Sequence, residues 1–237
     1  MLMTKIEKKF ASVTVDSIRK VDLKKSNFER PPTNKFINIS MDCKEIKEIL
    51  GGRISGKKVL EKRTIDYPLY YYSYINATNG MSSATRSNRI GKLHSLFKQR
   101  KCRSLGEWKR YYNSKHPGAV EKAIDTLSIT IGKGMGINAR RKYKKYIRLF
   151  VENLVFNQTY TGLKIQEVIL TKISNVTKKS YRWSTSKEDS AGIDGFIGGI
   201  PVTIKPETSK QKKKPGVKRI DYRINADGDT LSFTFSF

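Results

Sequence analysis

The sequence predicts an α+β fold, a mixed β-sheet flanked by helices with a mainly helical N-terminal region. Three observations lead there. Apolar residues recur at helical spacing between positions 90 and 176, the segments 193–204 and 220–237 read as short strands, and glycine or Asp-Gly punctuation separates the members of each strand pair. The division is placed at residue 138: 1–138 holds helices and a polar loop, and 139–237 holds the sheet. One continuous domain over 1–237 is the alternative.

Composition narrows the class. At 237 residues and 37% hydrophobic content the chain can bury a sizeable core. Its 48 Lys+Arg against 21 Asp+Glu give a formal charge of +27, and such an excess repels itself unless a polyanion neutralises it. Nucleic acid is the expected partner. No apolar run of about 18 residues and no basic-then-apolar leader is present, so the chain reads as soluble and cytoplasmic, without a membrane partner. Cys43 and Cys102 lack metal-ligand spacing, which argues against zinc and a disulfide framework. His94 and His116 form no HxH or HExxH pattern and are expected at the surface or at caps.

The elements follow in order. Segments such as Val13–Val15 and Phe36–Ile39 alternate, with a break at Pro31-Pro32, and carry no assignable role. Asp42 followed by Glu45 is a helix-start signal, Met41 and Ile46 suit a hydrophobic staple, and Gly51-Gly52 ends that helix. The aromatic run 67–75 fits either core packing or base stacking. Residues 76–89 carry almost nothing apolar. Asn76, Asn79, Ser82, Ser83, Thr85, Arg86, Asn88 and Arg89 supply the side chains that pair with base edges and phosphates, so this loop is the expected reader of sequence. Helices follow around Ile90–Phe97 and Leu105–Tyr112, and another begins with Pro117 in its first turn and Val120, Ile124, Leu127 and Ile131 inward. Gly132–Gly136 is expected to be a flexible connection.

The helix from about 139 to 156 has the sharpest pattern. Tyr143, Ile147, Phe150, Val151 and Leu154 share one face, whereas Arg141, Lys142, Lys144, Lys145 and Arg148 share the other, a surface suited to backbone phosphates. Gly162 is expected to open the next helix, which carries Glu167, and a strand-like piece lies near 181–184. Ile193–Ile197 and Ile200–Ile204 then read as a hairpin turned at Gly198-Gly199. Its acid Asp194 and its lysine Lys205 fall near one end. An exposed salt bridge is one reading. The other is chemical: a carboxylate is a hard ligand for Mg²⁺, and a lysine beside it orients the water that attacks a phosphodiester. Lys210 and Lys212–Lys214 follow, and the strands 220–224 and 231–237 close the chain as a hairpin turned at Asp227-Gly228.

The Asp194–Lys205 spacing resembles the metal-dependent nuclease motif PD-(D/E)xK, with Ile193 in place of the proline and Thr203 in place of the second acid. Several stretches together resemble the MjaI-like family of type II restriction endonucleases within that superfamily. They are Asn76-Ala77-Thr78 through Arg86 to Gly91-Lys92-Leu93, Glu107-Trp108 with Tyr111-Tyr112 and His116-Pro117, Asn157–Leu163 with Gln166-Glu167, and Ser190–Gly199 leading to Val202–Pro206. The resemblance implies a PD-(D/E)xK-like nuclease core in 139–237, double-stranded DNA as substrate, Mg²⁺ as cofactor, a short palindromic site and a homodimer. It also implies that Asp194 and Lys205 are catalytic, with Glu167 as the second acid. Asp194, Glu167 and the Ile204 carbonyl would then hold the metal, while Lys205 orients or deprotonates the attacking water. Arg141, Lys144, Lys145 and Lys210 would grip the DNA backbone. The stretch 207–216 is short for the long second helix of such cores, so the terminal hairpin is expected to complete the sheet in another way. Two rival readings remain: a non-enzymatic nucleic-acid binder, and a ribonuclease or repair nuclease with the same core.

Overall fold

Strand β1 (Phe36–Asp42) alternates exposed and buried residues and lies at one edge of the sheet. This computed structural model describes residues 36–52, 54–60, 84–86, 90–212 and 214–236, which belong to one unit spanning Phe36–Ser236. Val13–Val15 and the aromatic run 67–75 lie outside the described residues. Helix α1 (Cys43–Ile49) starts where the sequence places it: the Asp42 carboxylate accepts the Glu45 N–H at 2.8 Å, and Met41 and Ile46 are both buried. Gly51 and Gly52 end it at φ +75, a conformation costly for any residue with a Cβ.

The helical layer follows: α2 (Gly56–Leu60), α3 (Leu93–Arg100), α4 (Leu105–Lys115) and α5 (Ala119–Met135). Helix α6 (Ile137–Glu152) then runs through a π-helical segment (Asn153–Gln158) directly into α7 (Thr159–Thr177). Three expectations are corrected here. Pro117 stands before the cap residue Gly118, not in the first turn of α5. Gly132–Met135 are helical and only Gly136 connects; the Arg140 side chain packs against Gly132, where an added Cβ would lie 3.3 Å from its Cδ. Gly162 lies inside α7, because the helical cost of one glycine, about 1 kcal/mol, is outweighed by burying Leu163, Ile165, Ile169 and Ile173. Trp108 centres the helical core. Its Nε1–H donates to the Val155 carbonyl at 3.0 Å, and Phe97, Tyr111 and Tyr112 pack around its ring.

The remaining strands are β2 (Tyr181–Trp183), β3 (Gly195–Ile197), β4 (Ile200–Pro206), β5 (Lys218–Ile224) and β6 (Thr230–Ser236), with the short helix α8 (Ser186–Ser190) after β2. They form a six-stranded sheet in the order β1-β6-β5-β4-β3-β2. Only β4 and β5 are parallel; the other neighbours are antiparallel. The hairpin of β3 and β4 pairs Ile197 with Ile200 across Gly198-Gly199, as expected. No helix lies in the described part of the link from β4 to β5. That link is tied down by Arg219, whose guanidinium donates to the Ser209 and Gln211 carbonyls. The β5–β6 hairpin completes the sheet by pairing with β1 from the N-terminal part of the chain, so the sheet is mixed and flanked by helices, in the expected α+β class.

Candidate active site

Asp194 occupies the point where β3 can no longer follow β4. Its N–H donates to the Val202 carbonyl at 2.8 Å, so the backbone polar groups of Val202 face β3, and so do those of Ile204 two residues on. Before Asp194 the chain turns away at Gly192, φ +78. The carboxylate takes over where the strand stops: Oδ2 accepts the Ile204 N–H at 2.6 Å and the Thr203 hydroxyl at 3.0 Å. Lys205 Nζ stands 3.3 Å from the same oxygen. Asp194 is buried, its side chain 4% exposed, whereas Lys205 is 23% exposed and reaches the surface. Because a strand residue's N–H and C=O point to the same side, the Ile204 carbonyl opens beside this carboxylate.

A second polar group backs the first. The Ser184 hydroxyl donates to the Asp194 carbonyl at 3.2 Å and accepts from Lys98 Nζ at 2.8 Å. Lys98 also lies 3.7 Å from Asp189, which hydrogen-bonds His94 Nδ1 at 3.0 Å. Burial lowers the Lys98 pKa, against the opposing pull of Asp189 and Asp194. Burial pushes the Asp189 carboxyl up, but the His94 hydrogen bond and the charges of His94, Lys98 and Lys205 bring it below the ordinary carboxylate value. Burial raises the Tyr222 phenol, and the nearby Asp194 charge adds to that. Sequence spacing gives no signal for Lys98, Ser184 or Asp189. They come from α3, the end of β2 and α8, and only the fold joins them.

The other expected residues are placed as follows. Glu167 sits on α7 one turn before Leu170, which packs against Gly195, and its carboxylate pairs with Lys164 at 2.8 Å. Among the described residues, no group of three or more His, Cys, Asp or Glu is arranged to hold a metal ion. The Asp194 carboxylate and Ile204 carbonyl are hard oxygen donors, and Mg²⁺ takes one or two carboxylates while keeping several waters. That donor set fits it. Thr85 is half-buried and Arg86 exposed, whereas Asn76, Asn79, Ser82, Ser83, Asn88 and Arg89 lie outside the described residues. Arg141, Lys144 and Lys145 are exposed on α6, with Lys144 3.8 Å from Asp125. Arg148 is drawn off that face by Glu121 and Glu152. Lys210 is exposed in the β4–β5 link.

A mixed sheet flanked by helices, with an acid and a lysine at adjoining strand ends in a strongly basic chain, is the architecture of a nuclease of the restriction-endonuclease class. The chain belongs to the MjaI restriction endonuclease family, whose model matches residues 72–228. It is 34% identical to the type II restriction enzyme MthZI of Methanothermobacter thermautotrophicus over 184 residues, covering 77% of this chain and 85% of that one. It is 33% identical to the type II restriction enzyme MjaI of Methanocaldococcus jannaschii over 156 residues, covering 63% of this chain and 70% of that one. No solved structure matches the chain. No helix of the described residues is long and apolar enough to cross a membrane.

Proposed function

We propose that the protein cuts double-stranded DNA at a short palindromic sequence in a Mg²⁺-dependent reaction, leaving 5′-phosphate and 3′-hydroxyl ends. The observation that carries this reading is the contact of Asp194 Oδ2 with Lys205 Nζ at 3.3 Å beside the Ile204 carbonyl. Asp194 and the Ile204 carbonyl would hold the cation, with Glu167, whose carboxylate pairs with Lys164, as the further acid. Bound Mg²⁺ supplies Lewis-acid stabilisation of the charge that grows on the scissile phosphate. Lys205, ion-paired with Asp194 at 3.3 Å, would orient the attacking water or, as the free amine, take its proton. Thr203 and the Ile204 N–H keep the carboxylate aimed throughout, because both hold its Oδ2. A palindromic site calls for a two-fold protein, so each protomer of a homodimer cuts one strand. The exposed cations Arg141, Lys144, Lys145 and Lys210 supply backbone attraction without reading sequence.

The test is to incubate the purified protein with several sequence-rich duplex DNAs, with Mg²⁺ and with EDTA. Discrete Mg²⁺-dependent fragments with ligatable 5′-phosphates are expected. Binding without cleavage, across DNAs containing all short palindromes, would instead support the plain nucleic-acid binder. Cleavage of RNA in preference to DNA would support the ribonuclease.

A further inference from the structure

Between the start of α7 and the C-terminal ends of β4 and β5 lies a cleft of about 880 Å³, floored by the turn 225–228. Pro206, next to Lys205, and Tyr222, its register partner on β5, form the wall nearest the Asp194–Lys205 pair. The lining from the helical side includes Asn157, Gln158 and Thr161. We infer that this cleft receives the edge of a DNA base pair beside the scissile phosphate and is a specificity site of the cleavage reaction. The inference rests on the DNA-cutting reading above.

Charge is the first argument. In a chain with 48 Lys+Arg, the described residues of the cleft wall include one lysine, Lys57, and one acid, Asp227. Surfaces that grip phosphates are built of lysine and arginine, so this wall is not one. Gln158, exposed in that lining, carries both a donor and an acceptor, the combination that pairs in bidentate fashion with adenine N6 and N7 in the major groove. Backbone geometry is the second argument. Asn157 and Gln158 come from the π-helical segment, where one extra residue per turn widens the helix, a feature frequent at functional sites. Asn157 is braced there, its Nδ2 donating to the buried Asn153 Oδ1 at 3.0 Å. Gly162 is the third. A glycine inside a helix costs about 1 kcal/mol relative to alanine, yet a Cβ at Gly162 would meet nothing within 4 Å. Packing does not require the glycine, whereas an open cleft does.

The experiment compares the parent, Gly162→Leu and Gln158→Ala. It uses the duplex that the parent cuts and the same duplex with single base pairs changed. Gly162→Leu is expected to keep the parent's thermal midpoint and its salt-dependent binding to DNA lacking the site. It should lose roughly tenfold to hundredfold in preference for the cut sequence, the range of one bidentate base contact. Gln158→Ala, at an exposed position, should relax discrimination at one base pair only. If Gly162→Leu does not fold, Gln158→Ala decides. Unchanged discrimination in the folded variants overturns the inference, and so does a loss of affinity that is equal for all sequences, which would mark a phosphate contact. Failure of the parent to cut any DNA would show in the first lane and would remove the nuclease reading itself, separately from the cleft.

Discussion

Replacing Thr203 by valine removes one hydroxyl and little volume, at a residue 7% exposed whose Oγ1 donates to Asp194 Oδ2 at 3.0 Å. The nuclease motif that the Asp194–Lys205 spacing resembles has an acid at this position; Thr203 instead hydrogen-bonds the acid that is present. A hydrogen bond to a charged group contributes about 1.5–3 kcal/mol, of which relief from burying the hydroxyl returns part, leaving a net loss of about 1–2 kcal/mol. For a chain of this size that corresponds to a fall of about 2–8 °C in thermal midpoint. The Ile204 N–H at 2.6 Å remains, so the carboxylate loosens without leaving. Cleavage should slow by up to about tenfold, the equivalent of 1.4 kcal/mol, with DNA affinity kept. The assay is a double-mutant cycle of Thr203→Val with Asp194→Ala, read as urea midpoints at constant slope. Coupling of about 1–2 kcal/mol is expected. Additivity within about 0.5 kcal/mol would refute the anchoring role.

Three further outcomes follow from the geometry. Arg141→Ala and Lys145→Ala should each flatten the plot of log affinity against log salt by about 0.9, and an unchanged slope removes α6 from the DNA interface. Asp189 has its pKa lowered, so it contributes stability above its unfolded pKa that is lost as pH falls through the lower folded value; the stability gap between parent and Asp189→Asn should shrink in acid. A gap independent of pH would contradict that. Gly195→Ala would place a methyl 3.0 Å from both Leu170 Cδ1 and the Arg182 carbonyl, and overpacking of this kind costs about 1–3 kcal/mol. It should lower the unfolding midpoint and, by shifting the hairpin next to Asp194, slow cleavage as well.

Local signals were legible where one short stretch carries them. The Gly198-Gly199 hairpin, the Asp42 cap and the terminal strands appear where turn chemistry and alternation place them, because two or three residues decide each. The glycines misled where tertiary packing decides instead: Gly132 admits Arg140, and Gly162 sits in a helix whose buried face outweighs its propensity. Asp194 and Lys205 could be paired from their spacing, since a single hairpin brings them together. Lys98, Ser184 and Asp189 are separated by up to 95 positions from the contacts they make in this cluster, and no periodicity encodes such a meeting. The π-helical segment is invisible for a related reason. Its apolar spacing fits an α-helix equally well, and the extra residue shows only in the backbone.

The proposed cleavage requires Asp194 and Lys205 to act on the phosphodiester and not merely to brace the hairpin. Asp194→Asn keeps side-chain size and Lys205→Gln leaves a shorter polar side chain; each removes one partner's charge, so both can be compared with the parent on the same cut DNA under single-turnover conditions with Mg²⁺. Both variants are expected to fold, to bind the DNA and to cut it at least about 100-fold more slowly, the usual scale for losing a group that handles a proton or a developing charge. Cleavage at the parent's rate by either folded variant would contradict that requirement.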